Sequence, residues 1–242
     1  MIAQRLSRRA VLVCAACLSS ANAARAQARP FGFAAHGAFH NLVQRRDYDP
    51  KVTFADLDAN GTSEAVGALS GLRGEITLIE GRRVVSLGPC PGCGPAPDSA
   101  CLLASARVAR WRQEPVAEAV PEPGLRPFLA ARARAAGLDA AQPFPFRLRG
   151  ELTDVHMHVH GQPNPAFAGH GSAEPMAFGD IWRGGRLAGE VVGFHASPDM
   201  VGIISHAGDP LHCHWVSPGR DATAHLDAFG VAAGSTLLLP AV

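Results

Sequence analysis

Alternating apolar and polar residues predict that strands dominate the second half of the chain. Residues 146–160 alternate over a long run, which is typical of a strand with one buried face. A Ser-Pro-Gly-Arg-Asp turn follows another strand-like run that carries His212. Further strands are predicted at 187–194, 200–205, 225–229 and 235–240.

The first half of the chain combines a predicted hairpin with helical segments. Apolar runs at 76–79 and 84–87 flank Glu80-Gly81, a dipeptide suited to a tight turn. We predict a short helix at 38–44, and the Ala/Arg/Leu composition predicts helices at 98–111 and 126–140. This order predicts an α+β fold with mixed or antiparallel sheets, a few helices and a strand-rich C-terminal half.

Composition narrows the classes of protein and partner. The 242 residues suffice for one domain or two small ones, and 26 glycines and 19 prolines favour turn-rich β architecture. A net charge of +1 gives no broad basic surface, which argues against nucleic acid or an anionic membrane as the main partner. A small molecule is the expected partner.

The N-terminal residues 1–28 predict a twin-arginine signal peptide. Arg8-Arg9 precedes a short apolar stretch, and overlapping Ala-x-Ala sites end at Ala28. An uncleaved anchor is disfavoured because this stretch is too short to span a bilayer. We therefore expect a periplasmic domain at 29–242, free of the membrane after cleavage, with possible subdomains at 29–143 and 144–242.

Four cysteines lie after the predicted cleavage point: Cys90, Cys93, Cys101 and Cys213. In an oxidising compartment a disulfide among the first three is favoured over a zinc knuckle, and its pairing is left open. Prolines around Cys90 and Cys93 disfavour a thioredoxin-like redox pair, which needs a helix start. The segment is therefore interpreted as a stapled loop.

A histidine pattern on the predicted C-terminal hairpin indicates a metal site. His212 and His214 share one face of a strand, and the following turn can bring His225 back against them. Three imidazoles with an open coordination position are typical of catalytic zinc, although they also suit Cu, Ni, Fe or Co. The alternative is an exposed histidine pair and an unrelated surface histidine.

Several motifs in order give the chain a resemblance to α-acetolactate decarboxylases, from about residue 38 to the C-terminus. The motifs are Gly74-Glu75 with Gly81, Val192-Gly193-Phe194, Gly208 with His212-Cys213-His214-Trp215-Val216, and His225-Leu226-Asp227. The histidine hairpin is also similar to the plant and prokaryote conserved (PPC) DNA-binding domain, which shares that fold. This second resemblance supports the fold more than a function.

The resemblance to the decarboxylases implies zinc ligation by His212, His214 and His225, with Glu75 as a carboxylate close to the metal. It implies decarboxylation of a 2-hydroxy-3-oxo acid, acetolactate to acetoin, through a metal-stabilised enediolate. Glu75 could donate the proton if burial raises its pKa. The resemblance also suggests a homodimer.

Departures from the family pattern surround these ligands. His158 stands where the family strand carries an active-site arginine, Thr223-Ala224 replace paired glycines, and residues 226–242 contain no glutamate. His158 shares a face with His156 and His160, and could be a fourth metal ligand, an anion-binding imidazolium or a general acid. The alternative is a solvent-facing edge strand.

Another arginine of the same strand could take the place of the family arginine only if the alternation of faces along that strand is interrupted. Arg147 and Arg149 fall on the face opposite His158 if the strand is regular, whereas a bulge at Gly150 would reverse that parity.

The leading hypothesis is an exported zinc-dependent carboxy-lyase. A non-catalytic periplasmic metal-binding or ligand-binding protein on the same fold is the main alternative, because the arginine and glutamate are missing. A cupin-like metal oxygenase or isomerase ranks lower, since no glutamate follows His214. DNA binding is the weakest hypothesis, because export and near-neutral charge both oppose it.

Overall fold

A computed structural model describes residues 29–57, 61–90, 92–161 and 180–242, and strands dominate these ranges. Twelve strands form two six-stranded antiparallel sheets, accompanied by two α-helices. The predicted α+β class with antiparallel sheets and few helices is confirmed. None of the helices described is long and apolar enough to cross a membrane. The predicted signal peptide, residues 1–28, lies outside the described ranges.

The first sheet contains the predicted hairpin. Its elements are β1 (Ala34–His36), α1 (Phe39–Arg45), β2 (Val52–Thr53), β3 (Ser63–Leu69), β4 (Gly74–Ile79), β5 (Arg82–Leu87) and β6 (Ser99–Arg107). The strand order is β1-β6-β3-β4-β5, with β2 also paired to β6, and α1 is the predicted short helix. Glu80 and Gly81 form the hairpin turn with φ values of 52° and 73°, as a type I′ turn requires.

The helix predicted at 98–111 is wrong, because residues 99–107 form strand β6, which lies between β1 and β3 in the first sheet. Residues 99–104 are all buried, so the strand lacks the alternation of apolar and polar side chains that would reveal it. Pairing with β1, β2 and β3 outweighs the helix-favouring Ala and Leu composition.

The second sheet closes on itself. Its elements are β7 (Trp111–Pro115), α2 (Glu122–Ala135), β8 (Phe144–Val159), β9 (Asp180–His195), β10 (Leu211–Val216), β11 (Thr223–Val231) and β12 (Thr236–Pro240). Strand β11 pairs with both β10 and β8, so that β8, β9, β10 and β11 form a small barrel that β12 and β7 extend. Helix α2 packs against β11.

Two predicted elements in this half differ in extent or type. Helix α2 starts and ends earlier than predicted, with Pro123 in its first turn and Gly137 in the left-handed region just after it. The strand predicted at 200–205 is wrong. Local hydrogen bonds from Met200 and Val201 to the Ser197 carbonyl fold this run into turns, which leave Ile204 in the core.

The barrel and the first sheet pack face to face. Val66, Ile79 and Ala104 of the first sheet contact a shared core that includes Val192 and Phe194 of β9. Strand β4 lies across β11. This packing brings the outer face of the barrel, where β8, β10 and β11 adjoin, against β4.

A break in alternation at Asp154 changes which residues of β8 face the first sheet. Before Asp154 the even-numbered Leu148 and Leu152 belong to the barrel core, whereas after Asp154 the odd-numbered Val155 and Met157 belong to it. Asp154 has a φ of 49°, and the β8–β11 register shifts beside it. The face to which odd-numbered and even-numbered residues of β8 point therefore reverses, and the reversal occurs at Asp154 rather than at Gly150.

The parity reversal does not bring Arg147 to the histidines. Arg147 is fully buried between the sheets at the other end of β8, where its guanidinium lies 2.9 Å from Glu80 and 2.5 Å from Glu190. Glu64 is 3.5 Å away. Arg147 thus ties β8 to the hairpin turn and β9.

We predict that Arg147→Ala lowers the free energy of unfolding by about 3–5 kcal/mol, because the buried Glu64 loses the cation beside it. Glu80 and Glu190 each lose one of their arginine partners as well. Arg149, which is 46% exposed and also pairs with Glu190, is the matched control. Arg149→Ala should cost about 0–1 kcal/mol. Denaturant unfolding of both variants measures the difference, and equal losses would contradict the structural role of Arg147.

Candidate metal centre

Pairing of three barrel strands sets three histidines in one row. His225 on β11 lies opposite His214 on β10 and, on its other side, opposite His158 on β8. Residues directly opposite on paired strands project to the same face. His212 lies two residues from His214 and therefore joins this face.

The predicted turn closes the β10–β11 hairpin. The Ser217 hydroxyl donates to Asp221 and accepts the backbone N–H groups of Asp221 and Ala222. Arg220 adopts a left-handed φ of 54°. This local geometry fixes the register in which His214 faces His225.

The triad of His212, His214 and His225 offers a compact set of nitrogen donors. One nitrogen from each ring lies within 4.8 Å of the others, and all three side chains are buried. His212 Nδ1 and His214 Nε2 have no hydrogen-bond partner among the described residues. Buried polar atoms without partners are costly, and a metal ion would satisfy these.

A hydrogen-bond chain fixes the tautomer of His214. The Thr223 hydroxyl donates to the Trp215 carbonyl, so its oxygen accepts from Thr77 at 2.6 Å. The Thr77 oxygen must then accept from His214 Nδ1, at 3.0 Å. His214 consequently carries its hydrogen on Nδ1 and presents the lone pair of Nε2, as a metal ligand requires.

Burial keeps the triad neutral. Desolvation lowers the pKa of His214 to about 4, despite the opposing effect of Glu75. Desolvation also lowers the pKa values of His212 and His225 well below the ordinary value. Neutral imidazole is the form that binds metal ions, so burial prepares these side chains as ligands.

A second group, Glu75, His158 and His160, adjoins the triad, and its ligand atoms also lie within 4.8 Å of one another. Glu75 Oε1 accepts hydrogen bonds from the His160 backbone N–H and from His160 Nδ1. Glu75 Oε2 lies 3.6 Å from His214 Nε2. All five site residues predicted from the sequence therefore lie together.

The Glu75 carboxyl group is ionised. Burial would raise its pKa, but the nearby His160, His214 and His158 outweigh that effect and hold the pKa at about 2. The raised pKa on which a proton-donor role for Glu75 depends is therefore absent from the metal-free site.

The two groups face one pocket with a largely apolar wall. Glu75, His158, His160, His212 and His225 supply polar groups, and His206 adds another imidazole. The pocket lining found among the described residues contains no lysine or arginine. The apolar lining residues are Phe39, Leu42, Val43, Ala68, Leu72 and Leu102.

Solved structures with the same architecture identify the fold. α-Acetolactate decarboxylase from Bacillus subtilis strain 168 superposes with a TM-score of 0.66 at 12% identity, covering 87% of this chain and 86% of that one. The chain has the α-acetolactate decarboxylase fold. The enzyme from Bacillus subtilis subspecies spizizenii gives a TM-score of 0.62 at 13% identity, with 87% and 86% covered.

A Staphylococcus aureus protein of unknown function, described as similar to α-acetolactate decarboxylase, gives a TM-score of 0.62 at 13% identity. That superposition covers 86% of this chain and 85% of the other. No protein-family profile and no curated protein sequence matches the chain. The resemblance seen in the motifs is thus confirmed at the level of the decarboxylase fold.

Some residues that support the histidines of this site were not identified from the sequence. Asp227, an extra residue in β11 where the register with β8 shifts, accepts a hydrogen bond from His158 Nδ1 at 2.9 Å. Thr77 lies on a strand from the other sheet. Of these residues, only Asp227 belongs to a motif noted in the sequence, His225-Leu226-Asp227, and that motif does not indicate that Asp227 contacts His158.

The disulfide and the free cysteines are also settled by the structure. Cys90 pairs with Cys93, while Cys101 and Cys213 are free and buried. The stapled loop is thus confirmed, and Cys101 does not take part in it.

We predict that acid weakens the metal-free protein through His214. The pKa of His214 falls from 6.5 in the unfolded chain to about 4 in the fold. The unfolded chain therefore binds a proton first, so the stabilisation present above pH 6.5 is lost as pH falls through about 4. Between about pH 7.5 and about pH 5 this loss amounts to about 2 kcal/mol.

Chelator-treated wild type and His214→Gln are compared by denaturant unfolding at both pH values. The variant should lose less stability on acidification. The comparison is needed because burial raises the pKa of Glu64 to about 7, which favours the folded state as pH falls through the same range. Equal pH dependence in the two proteins would contradict the role of His214.

Proposed function

We propose that this chain is an exported zinc-dependent lyase that decarboxylates a 2-hydroxy-3-oxo acid, with acetolactate to acetoin as the reference reaction. The observation that carries the proposal is the buried triad with unpartnered nitrogens, facing a pocket in the decarboxylase fold. The fold alone would not be sufficient, because one fold serves many functions.

His212, His214 and His225 would hold the zinc ion. When bound, zinc would supply Lewis-acid stabilisation of the negative charge that develops on oxygen as carbon dioxide leaves. The Thr77–Thr223 chain keeps the His214 ring in its ligand tautomer. The triad residues thus provide orientation and a fixed set of lone pairs.

The remaining pocket residues would bind the two ends of the substrate. Glu75, ionised and next to His214, is placed to accept a hydrogen bond from the substrate hydroxyl. His158 and His160 form the side of the pocket that we assign to the departing carboxylate. Leu72 and Leu102 belong to the apolar part of the pocket lining, which would exclude water and so strengthen the electrostatic interactions inside the pocket.

We predict that His212→Ala/His214→Ala lowers the zinc content by one equivalent and acetoin formation by at least about a thousandfold, because the Lewis acid is worth several kcal/mol. Metal analysis and an acetoin assay with racemic acetolactate measure both effects. His156→Ala, on the same face of β8 but outside both ligand groups, is the control and should retain both.

Undiminished zinc in the double variant would contradict the metal site. Bound zinc in the wild type without acetoin would contradict the decarboxylase reaction. That result would favour the second candidate, a non-catalytic periplasmic metal-binding or ligand-binding protein. His158 at the position of the family arginine, and the lack of a glutamate in 226–242, are the observations that favour this candidate.

Export rests on residues 1–28 and is supported by the Cys90–Cys93 disulfide, since such bonds persist in oxidising compartments. We predict that Arg8→Lys/Arg9→Lys retains the protein in the cytoplasm, whereas the wild type reaches the periplasm with Arg29 at its N-terminus. Cell fractionation and N-terminal sequencing check this. Export of the variant at the wild-type level would contradict the twin-arginine route.

The homodimer and the absence of nucleic-acid binding stay predictions.

A further inference from the structure

We propose that Glu75, His158 and His160 bind a second divalent transition-metal ion next to the ion held by the triad. The proposal deepens the proposed function and rests on it for the role with substrate, but not for metal binding itself. The two ions would share one pocket, with Glu75 between them.

The donor set suits such an ion. Two imidazoles and one carboxylate offer their ligand atoms within 4.8 Å of one another. Mixed nitrogen and oxygen ligands of this kind select divalent transition metals such as Zn²⁺, Fe²⁺ or Co²⁺. Glu75 and His158 are almost fully buried, and His160 is only slightly exposed.

His158 is held in the orientation of a metal ligand. The carboxylate of Asp227 accepts a hydrogen bond from His158 Nδ1 at 2.9 Å, which leaves Nε2 on the opposite side of the ring. Nε2 is buried and has no partner among the described residues. A carboxylate that fixes the non-ligating nitrogen of a histidine is the usual support of metal-bound imidazole.

Glu75 is placed as a bridging carboxylate. Its Oε1 contacts His160, and its Oε2 lies 3.6 Å from His214 Nε2 in the triad. Each oxygen therefore faces a different ligand group. Paired metal ions in enzymes lie about 3.5–4 Å apart, a separation that one carboxylate can span.

The charge of the pocket favours a second cation. Glu75 contributes a buried negative charge, and the lining identified in the described chain has no lysine or arginine to offset it. A carboxylate substrate would add another negative charge on the side of His158. A divalent ion held by Glu75, His158 and His160 would neutralise both and bind the carboxylate.

The test counts metal ions in the chelator-treated full chain. Zn²⁺ is titrated by calorimetry and bound zinc is counted by elemental analysis, while Co²⁺ reports the ligand field by its visible absorption. We expect two equivalents in the wild type and one in His158→Asn/His160→Asn. His156→Asn, on the same face of the same strand, is the matched control and should keep two.

Asp227→Asn provides a second readout that removes no ligand. It should weaken binding of one of the two ions by roughly 10–100-fold and leave the other unchanged. If the His158→Asn/His160→Asn variant fails to fold, as judged by circular dichroism, the metal affinities of Asp227→Asn decide whether the second site exists. Unchanged affinity for both ions would then overturn the second site.

The outcomes separate this inference from the proposed function. One equivalent in the wild type, retained by His158→Asn/His160→Asn, overturns the second site and leaves the triad zinc intact. The wild type could also bind one equivalent of zinc that is lost in both the His158→Asn/His160→Asn and the His212→Ala/His214→Ala variants. That result would show a single site shared by both groups, and it would also overturn the second site. No bound metal in the wild type overturns both proposals.

Discussion

Closure of the barrel by pairing β11 with β8 is the constraint on which the site depends. This pairing places His158 against His225, and the β10–β11 hairpin places His214 on the other side of His225. Three imidazoles therefore meet in one row, although the strand that carries His158 is far from the hairpin in the chain. Without closure the hairpin would still join His214 to His225, but the second ligand group would have no place beside them.

The site is shared between two sheets, and each supplies what the other lacks. The barrel contributes the histidines, while β4 contributes Glu75 and Thr77. Burial between the sheets removes water and keeps the imidazoles neutral, which costs free energy unless each ring nitrogen finds a partner. The threonine chain and Asp227 satisfy one nitrogen of His214 and of His158, and they leave the other nitrogen for a ligand.

Local patterns predicted much of the fold and identified the histidines that lie together in the candidate metal centre. The Glu80-Gly81 turn and the existence of strand β8 were predicted correctly, because each depends on neighbours in the chain. The errors have two causes, one in tertiary burial and one in local hydrogen bonding. Strand β6 is buried on both faces and therefore resembles a helix in composition, and the turns at 200–205 are held by local hydrogen bonds that no periodicity announces.

The three histidines at hairpin spacing can be recognised in the amino-acid sequence alone, as can the alternation that puts His158 and His160 on one face. The tertiary structure decided which face that is, because the irregularity at Asp154 reverses the parity of β8 and turns these histidines toward the first sheet. It also decided that Arg147 ties the sheets together far from the pocket, and that Asp227 and Thr77 fix the rings. A period of two residues is a property of one strand, whereas closure, bulges and packing of one sheet on another depend on contacts between distant segments.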